Sequence, residues 1–209
     1  MDSGIIIANP NAPTGILLKL NEIEEIIKTN LNNIVIIDEA YIDFGGESAI
    51  KLINKYDNFL VIQTFSKSRS LAGMRLGFAI GNKELIKGLK NIKFSFNSYT
   101  INRLSILAGI EAFKDEEYFK ESVSKIISTR EKTKEELKKL GFKVLDSKSN
   151  FLFISHNKIF GENIYLKLKD KGILVRYFKK EIINNFIRVT IGTYEEMIIF
   201  INALKEIIN

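Results

Sequence analysis

The chain has 209 residues, of which 45% are hydrophobic and 27% charged, and a net charge of +6. That is a globular balance, too apolar for a chiefly disordered chain and long enough to bury a sizeable core. With 13 Gly, 2 Pro and no Cys, collagen-like and disulfide-scaffold classes are excluded, as are cysteine nucleophiles and thiolate metal sites. A single histidine, His156, leaves little room for a zinc site or a Ser-His-Asp triad, and no metal is expected.

The basic residues are spread over polar helix faces, so no nucleic-acid partner is indicated. Met1 is followed by Asp2 rather than by a basic stretch, and the apolar run at 4–8 is too short for a secretory core. No apolar run approaches the length of a membrane span. The expectation is a soluble, cytoplasmic protein.

Residues 4–8 form an unbroken apolar run, the pattern of a parallel-sheet strand buried on both faces. Both prolines follow at once, in Asn9-Pro10-Asn11-Ala12-Pro13-Thr14-Gly15, and set a rigid turn. Residues 20–29 read as a helix with Ile23, Ile26 and Ile27 on one side. Residues 33–37 read as a strand running into Asp38-Glu39-Ala40-Tyr41, and 47–54 as a short helix. Residues 58–63 form a third strand, entering Thr64-Phe65-Ser66-Lys67, and 75–80 a fourth. Strands alternating with helices predict an α/β domain with a mostly parallel sheet.

From about Thr100 the pattern changes. Residues 101–113 and 115–140 are helical, and Gly141 ends the longer helix as a C-cap would. Strands at 142–145 and 151–155, a helix at 163–171, strands at 173–177 and 186–191 and a final helix follow. Thr193 with Glu196 gives that helix a capping box. The second half reads as a compact α+β domain, giving domains 1–113 and 114–209. His156 reads as a strand-end surface residue.

Three strands of the first domain thus end in polar residues: Asn9 and Asn11, Asp38 with Tyr41, and Ser66 with Lys67. In open α/β sheets the ligand crevice lies beyond the carboxyl ends of the strands. A lysine there can form a Schiff base with pyridoxal phosphate, while a carboxylate pairs with the pyridine nitrogen. Arg75, eight residues past Lys67, could hold the cofactor phosphate together with Ser66. Each residue alone has a bland alternative: Asp38 a helix cap, Tyr41 a packing aromatic, Lys67 a surface lysine.

The segments 9–15 (NPNAPTG), 38–44 (DEAYIDF) and 64–78 (TFSKSRSLAGMRLGF) resemble fold-type I pyridoxal-phosphate-dependent aminotransferases of class I/II. With Asp43-Phe44-Gly45-Gly46-Glu47-Ser48 and Arg188-Val189-Thr190-Ile191-Gly192, the resemblance is nearest to the histidinol-phosphate aminotransferase family. It implies transfer of the amine of histidinol phosphate to 2-oxoglutarate, giving glutamate, in histidine biosynthesis. Lys67 is then the catalytic lysine and Asp38 the partner of the pyridine nitrogen. Ala40 lies against the ring, Tyr41 on its phenolic oxygen, and Ser66 and Arg75 on its phosphate. Asn11 is a further cofactor contact, because Ala12 stands where the family carries an asparagine. Arg176 and Arg188 bind substrate anions, either carboxylate or phosphate. Tyr99 reads as a packing residue that could also reach a partner subunit.

The family has a long region before the NPNAPTG loop, and this chain starts at that loop. The resemblance therefore implies the C-terminal portion of such an enzyme: a partial large domain with a mostly parallel sheet, and a small α+β domain. Another aminotransferase or amino-acid phosphate decarboxylase of the same fold group, or a non-catalytic fragment, are the alternatives. A buried strand without neighbours would leave backbone groups unpaired. Poor solubility or obligate association, as a homodimer or with a complementing N-terminal chain, is therefore expected. A sharp, reversible, monomeric unfolding transition in dilute solution would contradict it.

Overall fold

The computed structural model describes residues 3–208. They divide into two compact units: residues up to 11 together with Leu17–Glu121, and Ala12–Ile16 together with residues from Ser122 onward. The division falls inside one continuous helix, past the boundary read near 114.

The first unit contains strands β1 (Ile5–Ala8), β2 (Val35–Asp38), β3 (Phe59–Thr64) and β4 (Gly77–Gly81) in the order β1-β2-β3-β4. β1, β2 and β3 are parallel, with Ala8 opposite Asp38 and Asp38 opposite Ile62. β4 runs antiparallel to β3, with Gly77 opposite Thr64. Alternate residues Val35 and Ile37, Phe59 and Val61 point to one face. There they pack with Ile23 and Ile27 of helix α1 (Leu20–Lys28), and with Ala49 and Leu52 of a short 3-10 helix, Ala49–Lys55. That 3-10 helix occupies most of the stretch read as a short helix at 47–54.

The opposite face is not closed in the same way. Ile6 is 72% exposed, and Ile62 and Phe78 are partly exposed. In this chain β1 is an edge strand with one covered side, and the apolar run at 4–8 shows the exposed surface expected of such a strand without a neighbour.

Helix α2 (Lys83–Phe96) has no counterpart in the elements read from the sequence. Asn82 caps it, its side chain accepting from the Glu84 N–H at 2.8 Å. Helix α3 (Arg103–Lys114) follows, and helix α4 (Glu116–Lys139) begins in this unit and continues into the second. Leu89, Ile92, Phe94 and Phe96 of α2, and Leu104, Leu107 and Phe113 of α3, are exposed.

The second unit holds β5 (Phe142–Val144), β6 (Phe151–His156), helix α5 (Gly161–Asp170), β7 (Arg176–Tyr177), β8 (Ile187–Thr190) and helix α6 (Tyr194–Ile208). The sheet is antiparallel throughout, in the order β5-β6-β8-β7. Leu137 of α4, Leu152, Ile154, Ile187 and Val189 of the sheet, and Ile201 and Leu204 of α6 share one core. The capping box of α6 forms: the Thr193 N–H donates to Glu196 Oε2 at 2.8 Å, and the Glu196 N–H to Thr193 Oγ1 at 3.2 Å. Gly141 takes φ +82°, the left-handed turn that follows a helix end.

Two expectations fail here. The strand read at 173–177 shrinks to Arg176–Tyr177, while Ile173 and Val175 pack against the core outside the ladder. His156 is buried rather than on the surface. Its ring lies 4.9 Å from that of Phe142, and its Nδ1 accepts from the Lys158 N–H at 3.3 Å. Among the described residues, no helix is long and apolar enough to cross a membrane.

Leu204 is fully buried in the second core. Leu204→Ala should cost about 2–5 kcal/mol, through lost transfer energy and the cavity left behind. Ile6→Ala, on a mostly exposed side chain, should stay within about 0.5 kcal/mol. Urea unfolding of the variants at one protein concentration distinguishes the two.

Candidate functional site

The parallel pairing of β1, β2 and β3 brings three strand ends to one rim of the first sheet. Beyond β1, Asn9 is buried and spent on the backbone. Its Oδ1 accepts from the Leu18 N–H at 2.7 Å, and its Nδ2 donates to the Leu18 carbonyl at 3.2 Å. That pair closes the loop as a strand partner would. Asn11 and Ala12 are exposed.

Beyond β2, Asp38 is half-buried and its Oδ1 accepts from the Ala40 N–H at 3.0 Å. This short turn fixes the carboxylate and carries Ala40 and Tyr41, both half-buried. Beyond β3, the Thr64 hydroxyl donates to Ser66 Oγ at 2.9 Å and to the Leu76 carbonyl at 3.1 Å. The Phe65 N–H also donates to the Leu76 carbonyl, at 3.1 Å. Residues 66–75 are thereby returned to the rim by β4.

Lys67 and Arg75 lie in that loop. The Lys67 amine sits 5.5 Å from the centroid of the Tyr41 ring, within cation–π reach. Arg75 adopts φ +55°, a left-handed conformation uncommon outside glycine, and its Nη1 donates to the Ala72 carbonyl at 3.2 Å. The geometry thus brings the Asp38 turn, Tyr41 and the Lys67 loop together at one rim. It supplies an amine, a carboxylate, a phenol, a hydroxyl and a guanidinium, a donor and acceptor set that suits an anionic, proton-bearing heterocycle.

The other two site residues belong to the second unit. Arg176 and Arg188 are directly opposite each other on β7 and β8. Arg188 lies over the rings of Phe151 and Phe178, at 5.0 and 5.9 Å, and Arg176 over Phe178 at 5.5 Å. Arg188 Nε is buried with no hydrogen-bond partner among the described residues. Like charges placed opposite each other across a ladder are destabilising. An anion between them would remove that repulsion and satisfy the buried donor.

Sequence reading missed two carboxylates that build the first rim. Glu39 is 2% exposed. It accepts from the Ser48 hydroxyl at 2.6 Å, the Ala49 N–H at 2.6 Å and the Gln63 amide at 2.8 Å. Asp43 accepts from the buried Ser68 hydroxyl at 2.5 Å, joining the turn after β2 to the loop after β3. Strand periodicity offered one signal, because Glu39 must face away from Asp38. Nothing local announces the Asp43–Ser68 bond.

Residues 2–204 match the family model for aminotransferase class I and II. The chain is 74% identical over its whole length to the histidinol-phosphate aminotransferase of Brachyspira hyodysenteriae, covering 59% of that protein. It is 62% identical over 206 residues to that of Clostridium botulinum strain 657, covering 58% of it. The chain thus spans about three fifths of the length of these curated relatives. Among solved structures, the histidinol-phosphate aminotransferase of Clostridium acetobutylicum superposes with a TM-score of 0.91 at 31% identity, over 99% of this chain and 64% of that one. That of Sinorhizobium meliloti, in complex with pyridoxal-5'-phosphate, gives 0.88 at 26% identity, over 97% and 56%.

Burial raises the pKa of the Glu39 carboxyl above the ordinary glutamate value of about 4.5, against the lowering effect of Ser48, Ala49 and Gln63, and the nearby Asp43 charge raises it further. A carboxyl whose folded-state pKa is raised contributes stability that is complete below the unfolded value and is lost as pH rises through the folded one. The stability of the parent chain relative to Glu39→Gln should therefore fall as pH is raised from about 4 to 7. Urea midpoints measured across that range would show it, and a difference constant with pH would refute the burial effect.

Proposed function

The chain belongs to the class I and II aminotransferase family, and on that footing we propose that it takes part in pyridoxal-phosphate-dependent amino transfer from histidinol phosphate to 2-oxoglutarate. The observation that carries this reading is the Lys67 amine held 5.5 Å over the Tyr41 ring, on the rim that also bears Asp38.

Bound pyridoxal phosphate supplies an electron sink for the pair left when an amino acid's α-carbon loses its proton. The chain's own residues do the rest. The Asp38 carboxylate accepts a charge-assisted hydrogen bond from a protonated ring nitrogen, and so keeps the proton there. Tyr41 donates its phenolic hydrogen to the ring oxygen. Ala40 allows close approach to a ring face. The Ser66 hydroxyl and the Arg75 fork donate to the phosphate, and Asn11 adds a polar contact at the rim. The Lys67 amine, at the same rim, would serve as the positioned acid–base that takes and holds the proton leaving the amine-bearing carbon of the donor.

Arg176 and Arg188 are read as the groups that receive the anionic ends of the substrates. The opposed guanidiniums and the unsatisfied Arg188 Nε support this reading, and a planar fork suits a carboxylate or a phosphate equally. The curated relatives act on histidinol phosphate by name. The exposed apolar side chains of α2 and α3 support association, as a homodimer or with a complementing chain. A cytoplasmic location accords with a histidine-biosynthetic role.

Mixing the chain with pyridoxal phosphate should produce a visible absorption band that changes when an amino donor is added. Lys67→Ala should abolish both the band and turnover, and transamination retained in this variant would overturn the lysine's role. Arg188→Lys should raise KM for histidinol phosphate by about tenfold or more, since the fork is lost while the charge remains. A preference for phenylalanine over histidinol phosphate would move the chain to another branch of the family.

A further inference from the structure

The loop that bears Lys67 is pinned more firmly than a surface connection requires. Two non-glycine residues in it, Ser70 at φ +56° and Arg75 at φ +55°, adopt the left-handed conformation. Such residues persist where the surroundings over-determine them. Helix α3 supplies two of the pins. The buried Ser105 hydroxyl, in its first turn, donates to the Met74 carbonyl at 3.0 Å. In its last turn, the Ala112 carbonyl accepts from Arg69. That carbonyl belongs to the group a helix end leaves without intrahelical partners, where the helix dipole favours a cation.

Arg69 makes the stronger fastening. Its guanidinium lies 4.1 Å from the Phe119 centroid, 5.2 Å from Phe113 and 5.9 Å from Phe65. It therefore joins the end of β3, the end of α3 and the start of α4 around one planar cation. Rings favour a guanidinium by stacking and by attraction to its charge. A lysine in the same place would reach one ring at a time and would hold more of its hydration. Arg69 stands two residues from Lys67, and Ser68 between them is bound to Asp43. The backbone that carries Lys67 is thus held on its Arg69 side by the cage and at Ser68 by Asp43.

We propose that Arg69 is a positioning residue for Lys67: the three-phenylalanine cage and the Ala112 carbonyl set the orientation in which the lysine meets its cofactor. This rests on the reading that Lys67 binds pyridoxal phosphate. Arg69→Lys keeps the charge and loses the fork. Phe119→Leu removes the nearest ring and leaves the arginine in place. Each variant of the 209-residue chain is titrated with pyridoxal phosphate, recording the dissociation constant from the visible band and the induced circular dichroism of that band, which reports the orientation of the bound chromophore. Global unfolding midpoints are measured alongside.

Affinity about tenfold weaker, the scale expected for one lost cation–π contact with its charged hydrogen bond, together with an altered dichroism per bound cofactor, is the expected result. Unchanged affinity or unchanged dichroism in both variants overturns the proposal, even where the unfolding midpoint falls, because Arg69 then serves stability alone. If the parent chain develops no band, the cofactor reading fails and the positioning role falls with it. A parent band with silent variants defeats the positioning role only.

Discussion

The structure of the first unit depends on the parallel pairing of β1, β2 and β3. Parallel strands all present their carboxyl ends to the same side. With Ala8, Asp38 and Ile62 on one line of the ladder, whatever follows each strand must gather at one rim. The antiparallel addition of β4 completes it. Because Gly77 stands opposite Thr64, the intervening residues cannot wander. They leave and return at the same rim, carrying Ser66, Lys67 and Arg75. A cross-over connection in place of this return would have separated the lysine from the arginine.

The same pairing has a cost that the molecule shows openly. α1 and the 3-10 helix Ala49–Lys55 cover one face of the sheet. On the other, Ile6, Ile62 and Phe78 remain accessible, as do the apolar side chains of α2 and α3. Apolar side chains in water contribute none of the burial that stabilises the first core, so the ordering of this unit rests on the covered face and on the polar ties at the rim. Glu39 and Asp43 are those ties. A buried carboxylate with three donors is expensive to desolvate and yet fixes three segments at once.

The strand ends were legible in the sequence because each apolar run breaks into polar residues: Ala8 to Asn9, Ile37 to Asp38, Ile62 to Gln63. Residue type and order carried the family resemblance there. What could not be read has a common cause. An unbroken apolar run says that a strand is apolar on both faces, but not that both are covered in this chain, where Ile6 of β1 is exposed. α2 carries Leu89, Ile92 and Phe96 among four lysines with a glycine between, a helical pattern diluted by polar residues and by the mid-helix Gly88. His156 was read as a surface residue because its packing partner, Phe142, is distant in sequence. Arg69 gave no signal either: its cage is assembled from residues more than forty positions away as well as from Phe65.

The arginines show how position decides what a charge does. Arg130, 1% exposed, donates to the Ser149 carbonyl at 2.8 Å and to Glu131 at 2.9 Å, so its charge is answered within the fold. Arg69 is answered by a helix end and three ring faces. Arg176 and Arg188 are met by rings alone, and among the described residues neither they, Arg75 nor Lys67 forms an ion pair. Ring faces stabilise a cation less than a carboxylate does and leave the guanidinium edge able to donate. Surface lysines across the same chain find acids at i+3 or i+4 spacings, so acids were not lacking. The cations at the rim and on the β7–β8 pair share that lack of an ion pair with surface lysines such as Lys90 and Lys169. What sets one of them apart is burial: Arg188 Nε is buried and has no hydrogen-bond partner among the described residues, and a buried donor left unpaired carries a desolvation cost that an exposed lysine does not.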